Sequence, residues 1–381
     1  MKAVYKTSIL LFFIVSVISL LKSLFLLSYP DFTAYYYNPQ MAFSGQNPYL
    51  GGINLYTSTT YPPFSFLFFY PFSFLNISLS GKLFTLCSIS LFFASIYLIF
   101  RIGKVRTKSY LFLFVLGLFS IYFPVKFTLG MGQINIFILF LIVLFLYFYK
   151  KSVFLSGFFL SLSFLTKLFP ILLFLYLLMR KKFKILVYSL LIIMIFIAFS
   201  FLLVPKEVNL YFYQKILTSF FNSWPSDYYN QSITGVLSRG FTDNNTRILL
   251  KILFSVVFLG ASFVVLLKRK TKDINLETGY LIIVSLLINP FSWQHHFVWL
   301  VLPLLLTLFL LLKSKSSLFL VLLFISYVLT ALNLRQPDLF PVIFRSHVFF
   351  GALTLWILDS LLILGINAGS LMNSPKKLDQ G

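Results

Sequence analysis

The most constraining feature of this chain is a repeated alternation. Long unbroken apolar runs are separated by short basic clusters, which sit at residues 101–108, 150–151, 180–184, 268–270, 313–315 and 376–377. The runs are continuous and do not alternate with polar residues, so they read as helices and not as strands of a barrel. A lipid core leaves only helices or closed barrels able to satisfy the backbone. Charged residues make up 10% of the chain and hydrophobic ones 59%; a soluble protein carries about 25% charged residues. The expectation is an all-α polytopic membrane protein.

The net charge of +22 would in a soluble chain raise nucleic acid as a partner. Here the basic residues are spent as short anchors between apolar runs, which is the pattern of cytoplasmic loops. The expected partner is the lipid bilayer, with no nucleic acid. The single cysteine, Cys87, allows no internal disulfide, and with no paired ligand beside it no metal site is expected. The apolar start resembles a signal peptide, but no small-x-small cleavage site precedes Asp31 and the run is long enough to span.

Placing the basic clusters inside gives about twelve spans: about residues 8–28, 80–100, 109–125 and 134–149, two short ones between 151 and 180, then about 184–204, 247–267, 278–290, 297–312, 317–332 and 347–365. Both termini are then cytoplasmic, in the cell membrane. The chain reads as a single integral domain over 1–381, with outer loops at about 29–79 and 205–246 and a cytoplasmic tail at about 366–381. Residues 61–75, broken by Pro62, Pro63 and Pro71, read as an interfacial or re-entrant helix. Residues 126–133 read as an outer turn.

The first outer loop holds one acid, Asp31, and no basic residue occurs between Lys22 and Lys82. A carboxylate at the foot of the first span, held among aromatics, is a candidate general base facing outward. Four further outward spots carry the polar residues that are not anchors: 130–135, 166–167, 222–239 and 293–296. Each has a plainer reading. Asp31 also fits an interface acid, Lys167 and Arg239 a snorkelling cation, Gln133 and Asn135 interhelical hydrogen bonds, and His295 and His296 an aromatic belt with Trp293 and Trp299. Adjacent histidines point in different directions and do not form the two-ligand face of an i, i+4 pair. The sequons at Asn76, Asn230 and Asn244 are short enough to arise by chance.

The order of Asp31, Gly45-Gln46-Asn47-Pro48-Tyr49, Tyr61-Pro62-Pro63-Phe64, Gly132-Gln133-Ile134-Asn135, Gly157 with Lys167-Leu168-Phe169-Pro170, Asn230-Gln231-Ser232 with Arg239, and Trp293-Gln294-His295-His296 with Pro303 resembles glycosyltransferase family 87. The resemblance runs over about residues 8–310. It implies a membrane transferase of GT-C architecture whose outer loops form the active site and whose donor is a polyprenyl-phosphate hexose, commonly mannose. It also implies a catalytic Asp on the first outer loop, where Asp31 is the only acid, and a glycolipid or glycan as acceptor. Asp31 stands without the second acid that many GT-C enzymes place in this loop.

The chemistry agrees with that reading. A lipid phosphate leaves as an anion, which Lys or Arg stabilises without a metal. A carboxylate suffices to take the acceptor proton, and single displacement inverts the anomeric centre. The expected roles are Asp31 as base; Lys167, Arg239 and one of His295 or His296 on phosphate or sugar; Gln133, Asn230 and Gln231 on sugar hydroxyls; and Tyr35, Tyr36 and Tyr61 stacking on sugar. No cofactor is expected beyond the lipid-linked substrate. The alternative is a polytopic transporter or lipid flippase of envelope assembly, for which no inverted repeat and few acids within spans are visible, Asp359 being the main one.

Overall fold

Each polar break in the sequence ends one helix and caps the next. The computed structural model describes residues 2–26, 28–50, 60–219, 227–314 and 316–366, and every regular element among them is helical. Ser109 and Ser152 follow basic clusters and accept the backbone N–H of Phe112 and Leu155, which starts the next helix. Asn76 and Asp243 do the same for Leu79 and Thr246. A short polar side chain satisfies a donor that the first helical turn leaves open. The first and third sequons thus lie at helix starts, Asn76 as the cap itself.

The described chain divides into two compact units. The first holds α1 (Lys2–Leu21), α2 (Phe32–Phe43), α3 (Phe64–Phe69), α4 (Ile77–Ile102), α5 (Tyr110–Ser120), α6 (Phe123–Met131), α7 (Asn135–Phe148), α8 (Val153–Thr166), α9 (Ile171–Met179), α10 (Phe183–Leu203), α11 (Lys206–Tyr211) and α12 (Leu217–Ser219). It also contains a 3-10 turn, Gln294–Leu300, with the preceding Trp293. Within it α1 packs on α5, α7 on α4 and α8, and α8 on α10. The α8–α10 contact is close because Gly157 lies against Tyr188 and the Ile185 carbonyl. Ser161 Oγ also donates to the Ser189 carbonyl at 2.8 Å. Small residues and hydroxyls bind helices in lipid, where apolar burial gives no preference for protein over acyl chain.

The second unit holds α13 (Ile233–Gly240), α14 (Asn244–Leu267), α15 (Ile274–Ile288), all but the first residue of α16 (Val301–Ser314), α17 (Ser317–Ala331), α18 (Val342–Arg345) and α19 (His347–Ile363). Here α19 packs on α15 and α17. Gly351 admits Thr330 and Leu329 to its α carbon, and Ser326 Oγ donates to the Gly351 carbonyl at 2.8 Å. Two buried acids are paired: Glu277 with Arg269 at 2.6 Å, and Asp359 accepting from Thr307 Oγ1 at 2.7 Å.

Five described helices have the length and composition to cross a bilayer: Val4–Phe25, Ile77–Ile102, Phe183–Leu203, Asn244–Leu267 and Gln294–Ser314. They make the protein a multi-pass membrane protein. A sixth span results if α5 and α6, bent by 55°, count as one. Six further apolar helices, of 10–17 residues, fall where the sequence places shorter spans or the interfacial segment.

One expectation changes. Residues 126–133, expected as a turn, are helical as far as Met131. Pro124 opens α6, where a missing N–H costs nothing, and Gly132 closes it at φ +70°. The expected tail lies, beyond Ile366, outside the described residues, as do parts of both outer loops at 51–59 and 220–226.

Candidate active site

Asp31 is placed by a contact between two chain breaks. It immediately precedes α2, and its backbone N–H donates to the Met131 carbonyl at the end of α6 at 2.9 Å. The approach depends on Gly132. A Cβ there would lie 2.7 Å from Phe32 Cβ and 2.9 Å from Tyr29 Cβ, closer than carbon atoms pack. The left-handed turn at Gly132 also delivers Gln133, whose Nε2 donates to Asp31 Oδ2 at 2.6 Å.

Two tyrosines hold the other end of that amide. The hydroxyls of Tyr35 and Tyr61 lie 2.9 and 3.1 Å from Gln133 Oε1, and 2.7 Å from each other. Tyr35 is 2% exposed and stacks on Phe69 at 4.3 Å. Both phenols are held above their usual range, chiefly by burial. The expected sugar-stacking role therefore changes for Tyr35: its ring is in the core and its hydroxyl is turned to Gln133. Tyr36 is turned elsewhere and donates to the Leu75 carbonyl at 2.8 Å.

A cationic group belongs to the same unit. Lys167 lies in the break between α8 and α9, extended at φ −156°, with Pro170 leading into α9. Its Nζ is 3.2 Å from Asn135 Oδ1 and 2.5 Å from His296 Nε2. The faces of Tyr61 and Trp299 lie 5.6 and 5.8 Å away. Burial lowers Lys167 to about 7, against the smaller opposing pull of the Asp31 charge. The same burial raises Asp31 above the usual carboxylate range, and Gln133 and Lys167 partly offset it.

His296 stacks on Trp299 at 5.3 Å, and its Nδ1 accepts the Trp293 backbone N–H at 3.1 Å. Its Nε2 lies against the Lys167 amine. Asn135 Nδ2 and His295 Nδ1, both buried beside this cluster, have no partner among the described residues. Asn135 itself is fixed by Lys167 at its side chain and by Trp299 Nε1, which donates to its carbonyl at 2.8 Å. Interhelical hydrogen bonding, the plainer expectation for Asn135, agrees with its bond to Lys167, a partner that the sequence does not name. The available signal is its place two residues after Gln133, both just beyond the glycine turn at Gly132.

The remaining candidates belong to the second unit, where they hold backbone. Asn230 Nδ2 donates to the Pro290 carbonyl and its Oδ1 accepts from Ser232. Gln231 Nε2 donates to the Tyr228 and Arg345 carbonyls. The Arg239 guanidinium donates to the Asp227 and Asn230 carbonyls at 2.9 and 2.7 Å and to Ser346 Oγ at 2.9 Å. Burial first, and the nearby Arg345 second, lower it to about 10. All three residues are thus built into the loop preceding α13 or into α13 itself. Among the described residues no group of three or more His, Cys, Asp or Glu side chains could hold a metal.

A family model described as glycosyltransferase family 87 matches residues 59–290, more than half of the chain. The chain belongs to glycosyltransferase family 87. The matched region contains Tyr61, Gln133, Asn135, Lys167 and Arg239, whereas Asp31, Tyr35, His295 and His296 lie outside it. The chain is also similar to a polyprenol-phosphate-mannose-dependent alpha-(1-2)-phosphatidylinositol pentamannoside mannosyltransferase of Mycobacterium tuberculosis. The two are 26% identical over 250 residues, which is 64% of this chain and 56% of the relative. The chain therefore matches little more than half the length of that relative. No solved structure matches it.

Proposed function

We propose that this family 87 protein transfers a hexose, mannose by analogy with the relative's name, from a polyprenyl phosphate to an acceptor hydroxyl at the outer face of the cell membrane. The acceptor is a glycolipid or glycan. The observation that carries the reading is the juxtaposition at Asp31. One carboxylate oxygen is held by Gln133, while the other accepts no hydrogen bond among the described residues. The same unit holds the buried Lys167 cluster, beside which Asn135 Nδ2 and His295 Nδ1 have no partner among the described residues.

The chemistry divides between these two groups. Asp31 Oδ1 takes the proton of the acceptor hydroxyl as its oxygen attacks the anomeric carbon. The bond to the lipid phosphate breaks, and the anion leaves toward Lys167, Asn135 and His295. Lys167 stabilises that developing charge electrostatically in a site of low dielectric. A single displacement of this kind inverts the anomeric centre and needs no metal ion. The shorter apolar helices complete a bundle of about twelve spans, with both termini cytoplasmic.

The test uses purified protein in detergent, polyprenyl-phosphate hexoses and a lipid extract, scoring glycosylated product. Asp31→Asn is nearly isosteric but cannot take a proton. General-base catalysis contributes about 10²–10⁴-fold, so transfer should fall by that factor while the KM for donor stays within a few-fold. Transfer at the wild-type rate removes Asp31 from the base role. Absence of product from every donor with the wild-type protein favours a transporter.

A further inference from the structure

Gln133 is more constrained than a sugar contact needs to be. Its carbonyl faces two phenol hydroxyls and its amide nitrogen faces a carboxylate. Rotating the amide by 180° would set oxygen against carboxylate oxygen, so only one orientation suits an ionised Asp31. The support extends outward. Tyr35 is clamped by Phe69, and its hydroxyl accepts the Ile134 N–H. Tyr61 is held through its own carbonyl, which accepts from Tyr49 Oη at 2.6 Å. The Gln133 backbone N–H is used as well, donating to the Thr128 carbonyl at 2.8 Å. Gln133 is 8% exposed, and at most one amide hydrogen remains for any ligand.

We infer that Gln133 is a positioning residue for Asp31, holding Oδ2 so that Oδ1 alone meets the acceptor hydroxyl, with Tyr35 and Tyr61 fixing the amide. This rests on the reading of Asp31 as base. The arrangement solves a specific problem. A base buried among aromatics tends to take up a proton and stop working. A second carboxylate would worsen this, and a directly bonded cation would make the base too weak. A neutral N–H donor favours the ionised form while leaving the other oxygen basic. The titratable groups that face Asp31 are Tyr35, Tyr61 and Lys167. Both phenols stay neutral across the working range, and loss of the Lys167 charge falls on the alkaline side, so the acid limb of the rate profile reports Asp31.

The experiment measures kcat/KM for transfer against pH in wild type, Gln133→Met and the double variant Tyr35→Phe/Tyr61→Phe. A hydrogen bond to a charged group is worth enough to move the acid limb by about one to two pH units. Removing it destabilises the carboxylate, so the limb moves to higher pH. The double tyrosine variant should move the limb the same way by less, with donor KM within a few-fold. An unmoved limb in both variants overturns the inference, whatever happens to kcat. A raised acceptor KM with an unmoved limb makes Gln133 a sugar contact instead. If Gln133→Met does not insert, the tyrosine variant decides alone: a shift supports the inference and an unmoved limb overturns it. Asp31→Asn separates the two readings. Wild-type transfer there overturns the base assignment, and this role with it; lost transfer there, with an unmoved limb in the other variants, overturns the positioning role only.

Discussion

At the scale of single residues, two groups with displaced protonation equilibria bound the working pH. Asp31 is raised above the usual carboxylate range by burial, and as a base it works only when ionised. Activity should therefore fall as the pH drops through its raised value. Lys167 is lowered to about 7 and helps a leaving phosphate only when protonated. Activity should therefore fall again as the pH rises past about 7, through weaker donor use. The expected profile is a bell, narrow because burial moves the two values toward each other. Lys167→Met should remove the alkaline limb and lower donor use at least tenfold, since a charge-assisted contact is worth roughly 1.5–3 kcal/mol. A flat profile between pH 7 and 9 in the wild type would show that Lys167 carries no charge that matters to the reaction.

At the scale of elements, the α6–α7 turn does the placing, and neighbouring glycines make a controlled comparison. Gly132→Ala forces a side chain into a left-handed conformation, at about 1–2 kcal/mol, and drives its Cβ into Phe32 and Tyr29. It should lower the melting temperature in detergent and cost transfer activity at least tenfold. Gly130 has open space at the same distance, so Gly130→Ala should be tolerated; equal damage from both would show that the turn is not what places Asp31. Arg239 gives the opposite kind of expectation. Its guanidinium holds two carbonyls and a hydroxyl of its own unit, so Arg239→Gln should reduce thermal stability and leave donor KM within a few-fold. A raised donor KM with unchanged stability would restore the phosphate role. The difference between Lys167 and Arg239 was not legible in the sequence. Both are lone cations beside apolar runs, and only the fold shows that one has carbonyls as partners and the other an amide and an imidazole. Asp31 stood out because it is the one acid in a stretch, residues 23–81, that holds no Lys or Arg, and Asp31→Asn tests whether it is the base. Its Gln133 partner, 102 residues away, was visible only as a polar residue after glycine.

At the scale of the whole molecule, the charge pattern and the helix ends agree. The basic clusters at 101–108, 150–151, 180–184 and 268–272 fall between helices or in their last and first turns. The sequence therefore located most helix ends, because polar breaks and capping residues mark them locally. It did not locate the bend between α5 and α6, because Pro124 reads equally as a stop or as the first turn of a new helix. Sidedness follows from the charges. Lys and Arg clusters resist translocation, so residues 104, 182 and 270 should stay cytoplasmic, and the loops around Asn47 and Tyr228 should be external. Cysteine labelling in intact cells tests this once exposed Cys87 is replaced by Ala. Single cysteines at Asn47 and Tyr228 should react with an impermeant maleimide added from outside. Those at Lys104, Lys182 and Lys270 should react only after the membrane is opened. Since an odd number of crossings reverses everything downstream, each site checks the count before it. A Tyr228→Cys protein labelled only after permeabilisation would mean that the number of crossings between residues 47 and 228 is odd, and the twelve-span arrangement would fall with it.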